Sequence, residues 1–268
     1  MYYFKYFLKR NDFLGKILRY HTPFFLFLFF SIHISCSQPK ENMYEIFSNY
    51  EKADFFRSKV HDSIRHLIPT LDTILYRDQF YRSGKHKGPE SKRQQAMRAL
   101  DAINMKVVDS ILQKHGFLSI TDIGIMGHQA LVSVMIHSSL DFKLKYTSLF
   151  EVWLKDKKIA PTNYAAIVDR LLVQQHRFQL YGTQVMVNKK TGDAELYPLC
   201  NPDSVEARRT KIGIAYQLSE YLSKYNLKWD LELYKRQLPQ LVVSYKILDS
   251  ISNSDKCNGV DPYVYPLL

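Results

Sequence analysis

The stretch SKRQQAMRALDAINMKVVDSILQKHG, from Ser91 to Gly116, decides the fold class. Ala96, Leu100, Ile103, Val107 and Ile111 recur every three or four residues among charged and amide side chains. That is the spacing of one buried helical face. Gly116 supplies the stop, since glycine at the end of a periodic run is the usual helix terminator. The spacing predicts a helix of about seven turns, and the same periodicity returns on both sides of it.

Upstream, Met43 to about Arg65 and Leu67 to Tyr81 carry helical patterns, with Pro69 near their boundary. Downstream, helices are predicted from about His128 to Ser138, Asp141 to Lys157, and Thr162 to Arg177, the last opened by Pro161-Thr162. The period then changes to strand-like at Thr183–Val187. A turn-like Asn188–Asp193 comes next, and Ala194–Leu199 reads as a returning strand. Asn201-Pro202-Asp203 reads as a cap, a first helical position and a first-turn acid, opening a helix to about Lys224. The expected class is therefore mainly α (α+β), a helical domain with one β-hairpin. After Asn226 the signals weaken, and the last fifteen residues read as an irregular tail.

The chain has 268 residues with 37 Lys+Arg against 26 Asp+Glu. Its charged fraction of 24% and aromatic fraction of 14% leave enough apolar surface to fold, so a largely disordered chain is excluded. Residues 1–35 read as an export signal: a basic leader (Lys5, Lys9, Arg10, Lys16, Arg19) and then an apolar run from Phe24 to Ile34. That run is about half of the ~20 residues needed to cross a bilayer. Ser35-Cys36-Ser37 resembles the lipobox of bacterial lipoproteins, with His33 where leucine is usual three places before the cysteine. The resemblance implies lipidation of Cys36, a tether over residues 36–42, and an exported protein held at the membrane of the bacterial cell envelope. The helical domain is then assigned to 43–225 and a C-terminal extension to 226–268. Removing the signal takes away five basic residues and one acidic, so the net charge of +11 falls to +7. The densest basic stretch, Lys85-His86-Lys87 with Lys92-Arg93, has no interleaved aromatics, and no nucleic-acid partner is expected.

Three polar clusters stand out. Asp101 and Asn104 lie three apart, on one side of the long helix, with Asn104 at the edge of its apolar stripe. His137 and Asp141 would be helical neighbours if the helix ran past Ser138, and a carboxylate-oriented imidazole suits a general base. The third cluster is Asp169-Arg170 followed by Gln179-Leu180-Tyr181-Gly182-Thr183-Gln184. It brings a carboxylate, a guanidinium, amides, a phenol and a hydroxyl to a helix-to-strand junction. Each cluster has a plain alternative as internal hydrogen bonding. Arg208 and Arg209, one turn into the next helix, suit a bound anion or an exposed surface. Signatures of the common enzyme classes are absent, no metal site or cofactor is expected, and Cys200 and Cys257 are available for a disulfide.

The third cluster resembles the hallmark of a bacterial family catalogued as domain of unknown function 6624: Asp-Arg, a gap, then Gln-x-Tyr-Gly-Thr-Gln. Asp78-Gln79 with Arg82, Asp101 and Asn104, Gly116, Gly124, His137, and Asp203 through Gly213 fall where that family has its other motifs. The likeness spans about Leu71 to Tyr221. Where the family often has Gln just before its His and Asp two after it, this chain has Ile136 and Ser139. The family name carries no activity. The clusters together imply a site for a small polar ligand or a partner protein. Two alternatives stand beside it: a hydrolase with His137 as general base and Arg170 or Tyr181 stabilising developing charge, and an interaction scaffold.

Overall fold

The computed structural model describes residues 57–82, 88–188 and 192–248. The signal segment, Cys36 and its tether, most of the helix expected from Met43, and the tail after Leu248 lie outside the described residues. The described part is mainly helical with one two-stranded antiparallel sheet, as the periodicity predicts.

A short turn of helix, α1 (Asp62–Arg65), leads into α2 (Ile68–Phe80), α3 (Glu90–His115) and α4 (Ile120–His137). Helix α2 starts with Pro69 in its first turn, where a missing N–H costs nothing. Gly116 closes α3, its N–H donating to Leu112 O at 2.9 Å. Helix α4 begins well before the His128 start that its apolar period suggests. Asp122 accepts from the Ser119 N–H at 2.7 Å and from the Ser119 hydroxyl at 2.8 Å, fixing the first turn ahead of a kink at Gly124.

Helix α4 is the centre of the core. Ala130, Leu131, Val132, Val134 and Met135 are all buried, so it is covered on every side and has no polar face to reveal its period. It packs most extensively against α2. Gly127 permits this approach: a Cβ there would sit 3.1 Å from Leu71 Cδ1. Among the described residues no single helix is long and apolar enough to cross a membrane.

The chain then breaks. Ser138 is extended (φ −63°, ψ 166°), so α4 ends at His137 and a new helix, α5 (Leu140–Tyr146), is capped by the Ser139 hydroxyl. The helix expected over Asp141–Lys157 is divided, since a single 3-10 turn links α5 to α6 (Phe150–Lys155). Helix α7 (Pro161–Gln174) is almost wholly buried and leads to β1 (Val185–Val187), which pairs with β2 (Ala194–Leu196) in the register Val185–Leu196 and Val187–Ala194.

The helix expected from Asn201 to Lys224 is instead three pieces. Asn201 is left-handed (φ 33°) and makes no side-chain cap; a 3-10 turn at Pro202–Ser204 precedes α8 (Val205–Lys211). After Gly213 the chain runs irregularly to α9 (Leu218–Ser223). Beyond Asn226, where the periodic signals fade, lies α10 (Leu231–Ser244). It buries Tyr234, Leu238 and Leu241. The Tyr234 hydroxyl accepts from Leu199 N at 2.8 Å and donates to Tyr197 O at 3.0 Å, which fixes α10 to the end of the hairpin.

Candidate functional site

Two polar assemblies occupy the interior. The first joins α2, α3 and α4. Asp78, 1% exposed near the end of α2, places its carboxylate against His137 at the end of α4. The His137 Nδ1 lies 2.9 and 3.0 Å from the two oxygens. The Gln79 amide donates to the same carboxylate at 2.6 Å and Arg82 at 3.1 Å. Arg82 also donates to Asp78 O at 2.7 Å and reaches across to Asp101 Oδ2 on α3 at 2.7 Å. Burial would raise the Asp78 pKa. The charge and hydrogen bond of His137, then Arg82 and Gln79, outweigh it and hold the group below the usual carboxylate range.

An ionised Asp78 fixes the imidazole. With Nδ1 against the carboxylate as the donor it can accept from, the ring turns Nε2 away from Asp78. Nε2 has no hydrogen-bond partner among the described residues, and the His137 side chain keeps 21% exposure. Asp78, Asp101, Asn104, Met105, Val134, His137 and Ser138 line a narrow crevice with no room for a free water-sized sphere. Asn104 donates weakly to Ile74 O at 3.4 Å. Its Oδ1 and the Asp101 Oδ1 are buried without a hydrogen-bond partner.

The second assembly holds the loop between α7 and β1. Asp169, fully buried, accepts from the N–H groups of Leu180 (2.7 Å), Tyr181 (3.0 Å) and Thr183 (2.9 Å) and from the Thr183 hydroxyl (2.8 Å). Burial raises its pKa against the pull of these donors. Gln179 works as a side-chain strand: its amide donates to Tyr197 O at 2.7 Å and Gln184 O at 3.1 Å, and it accepts from Gln184 N at 2.8 Å. Gly182 (φ 73°) is required at the turn, because a Cβ there would lie 2.7 Å from Leu218 Cδ1. Tyr181 packs against Tyr164 with ring centroids 6.1 Å apart. Gln184 Nε2 donates to the Thr183 hydroxyl at 3.2 Å. Arg208 donates to the carbonyls of Leu180, Cys200 and Asn201, and Arg209 to those of Tyr181 and Tyr216.

The chain matches, over residues 67–233, the family described as "Family of unknown function (DUF6624)". That is more than half of its length. The chain belongs to this family. No curated protein and no solved structure matches it.

Within this DUF6624 chain the residues singled out by sequence separate cleanly. Asp101, Asn104 and His137 meet at the first assembly. Asp169, Gln179, Tyr181, Gln184, Arg208 and Arg209 belong to the second, where their polar groups meet backbone far more than open space. Asp169 and Arg170 do not pair: the carboxylate turns to the loop, and the Arg170 Nε is buried without a partner. The expected His137–Asp141 pair does not form. The extended Ser138 ends the helix between them and leaves Asp141 exposed, so Asp78 takes its place.

Lys143 on α5 is a polar interior residue that spacing does not reveal. It is fully buried, donating to Ser138 O at 2.6 Å and to Ser138 Oγ at 3.2 Å. A lone lysine in a short helix carries no signal that would mark it as internal. Among the described residues no group of three or more His, Cys, Asp or Glu is placed to hold a metal ion.

Proposed function

We propose that the Asp78–His137 dyad is an acid–base centre for a hydrolytic reaction on a small polar substrate. One observation carries this reading: a buried carboxylate holds His137 Nδ1 while Nε2 stays free at a partly exposed ring. Asp78 fixes the tautomer and stabilises the imidazolium that forms when Nε2 takes a proton from an attacking water. Arg82 positions the dyad by gripping Asp78 and Asp101 together. The nucleophile in this scheme is water at the solvent-exposed edge of the His137 ring, outside the closed crevice, since Ser138 is buried and its hydroxyl is committed to Met135 O at 2.9 Å. A second reading, a binding site without chemistry, draws on the two unpaired acceptors, Asp101 Oδ1 and Asn104 Oδ1, which call for ligand donors.

The test is thermal unfolding of the full chain with His137→Ala, beside hydrolysis of a panel of chromogenic carboxylic and phosphoric esters. The expected result is a melting temperature within a few degrees of wild type and loss of whatever turnover the wild type shows. A fall of more than about 10 °C, several kcal/mol for a domain of this size, would make His137 internal scaffolding and end the acid–base reading.

We further propose that the protein is a lipoprotein of the cell envelope, attached through Cys36. The support is the basic leader, the short apolar run and Ser35-Cys36. Cys200 adds to it: buried and disulfide-bonded, it suits an oxidising compartment. Mass spectrometry of the membrane fraction should find a diacylglyceryl group on Cys36, and Cys36→Ala should release the protein from that fraction. An unmodified Cys36 would refute the anchor.

A further inference from the structure

Near the dyad, Arg170 has no counter-charge among the described residues. Arg170 lies on α7, one turn before Gln174, so the two share a helical face. Gln174 Nε2 donates to Ser138 O at 3.0 Å, the carbonyl that Lys143 also reaches at 2.6 Å. Ser138 directly follows His137 and lines the same crevice. Arg170 therefore lies on the α7 face that meets the corner where α4 gives way to α5. Its electrostatic neighbours there are cations: Arg82 disfavours its charge, and its own charge disfavours that of Lys143.

The carboxylates of the region face other donors, and none of them meets Arg170 among the described residues. Asp169, its chain neighbour, is consumed by four loop donors. Asp78 is held by His137, Gln79 and Arg82, and Asp101 by Arg82. Arg170 forms no ion pair or hydrogen bond with any described residue, and its Nε is buried without a partner. The residue as a whole keeps partial exposure, so its outer end has a way to solvent. An enclosed guanidinium with no acceptor is costly, and its planar fork fits an oxyanion through two parallel hydrogen bonds.

We propose that Arg170 is the anion-receiving arm of the Asp78–His137 centre, so that the ligand class is a small molecule bearing a carboxylate or phosphate. This rests on the acid–base reading: the anionic group docks on Arg170 and the reacting bond is carried towards His137 Nε2.

The experiment uses the full chain labelled with 15N-histidine. Inorganic phosphate in one arm and acetate in the other are titrated at fixed ionic strength while the His137 ring resonances are followed. A saturable shift is expected in at least one arm, phosphate alone or acetate alone naming the anion. Arg170→Gln should weaken it at least tenfold, and Arg170→Lys, which keeps the charge but loses the fork, should retain a part. Absence of a saturable shift in both arms, or an undiminished one in Arg170→Gln, overturns the proposal. If Arg170→Gln does not fold, the Arg170→Lys titration decides, and equal affinity with wild type overturns it. The same spectra report the tautomer separately. Arg170-dependent binding with the proton on Nε2 would sink the acid–base reading while leaving the anion site, and the converse would sink only the anion site.

Discussion

Replacing Lys143 by Met should make the protein more stable near neutral pH, and the gain should fade as pH rises. The Lys143 amine is fully enclosed. Burial first, and then the Arg170 charge, push its pKa from 10.5 down to about 6, with Asp101 pulling the other way. Between those two values the unfolded chain holds a proton that the folded chain lacks, so wild-type stability climbs with pH. One proton corresponds to about 1.4 kcal/mol per pH unit. From pH 7 to 9 the ceiling is thus about 2.7 kcal/mol, and allowing for relaxation around a buried amine we expect about 1–2.5 kcal/mol. Methionine keeps the length and apolar stem of the side chain, and Ser138 O keeps its bond from Gln174. The assay is urea unfolding of both proteins at pH 6, 7, 8 and 9 and constant ionic strength. Groups common to both cancel in the difference, which should be largest at pH 6 and shrink steadily towards pH 9. A difference flat with pH would refute the assignment of a neutral, buried Lys143.

Three further outcomes rest on the geometry. Asp169→Asn keeps the shape but turns an NH2 group on donors that need an acceptor; it should cost about 2–4 kcal/mol in chemical denaturation, and a loss under about 0.5 kcal/mol would refute the loop-anchoring role. Gly182→Ala places a Cβ 2.7 Å from Leu218 Cδ1 at a positive φ and should destabilise by at least about 2 kcal/mol, whereas wild-type stability would show that the turn relaxes freely. Asp78 is held below its ordinary 3.8, so its contribution is present above that pH and lost as pH falls through the lowered value; the acid-unfolding limb of wild type should therefore be steeper than that of Asp78→Asn, and superimposed limbs would refute the ionised dyad.

How far the sequence could be read depended on whether an element had two different faces. Helix α3 is solvated on one side and α2 is marked by Pro69, so both elements are visible as letters. The buried face of α3 is nevertheless rotated from the expected stripe: it runs through Asn104, Val108, Ile111 and Leu112 and leaves Ile103 46% exposed, because α2 and α4 cover that side. Helix α4 is apolar all round, and its true start at Ile120 is set by Ser119 and Asp122 rather than by any stripe. The break at Ser138 is a matter of backbone dihedrals between two helical stretches, with no proline or glycine to announce it. That single residue moved the partner of His137 from Asp141, four places on, to Asp78, 59 residues back. Spacing along a chain reports neighbours on one helix; a partner brought by packing between helices leaves no such trace. Two histidines on α4 show what burial decides. His128 is enclosed and tied to Lys158 O at 3.0 Å, while His137, at the helix end, faces a carboxylate and keeps Nε2 without a partner among the described residues.

Adjacent residues of the Asp169-Arg170 pair do opposite work, and the helix explains why. Successive side chains on an α-helix point about 100° apart, so a buried helix such as α7 sends neighbours to different parts of the interior. Asp169 turns to the α7–β1 loop, where three backbone N–H groups and a hydroxyl need an acceptor that no strand supplies. Arg170 lies on the face towards the corner between α4 and α5, where it meets no carboxylate among the described residues. A substitution at the first should appear as lost stability, with the site's chemistry intact in whatever remains folded. A neutral substitution at the second should leave stability equal or improved, because it removes an uncompensated charge from a cationic neighbourhood. On the proposed reading, a motif that is one unit in the sequence divides, by the pitch of a helix, into a residue for folding and a residue for binding. The two variants, compared by unfolding and by anion titration, should show opposite profiles.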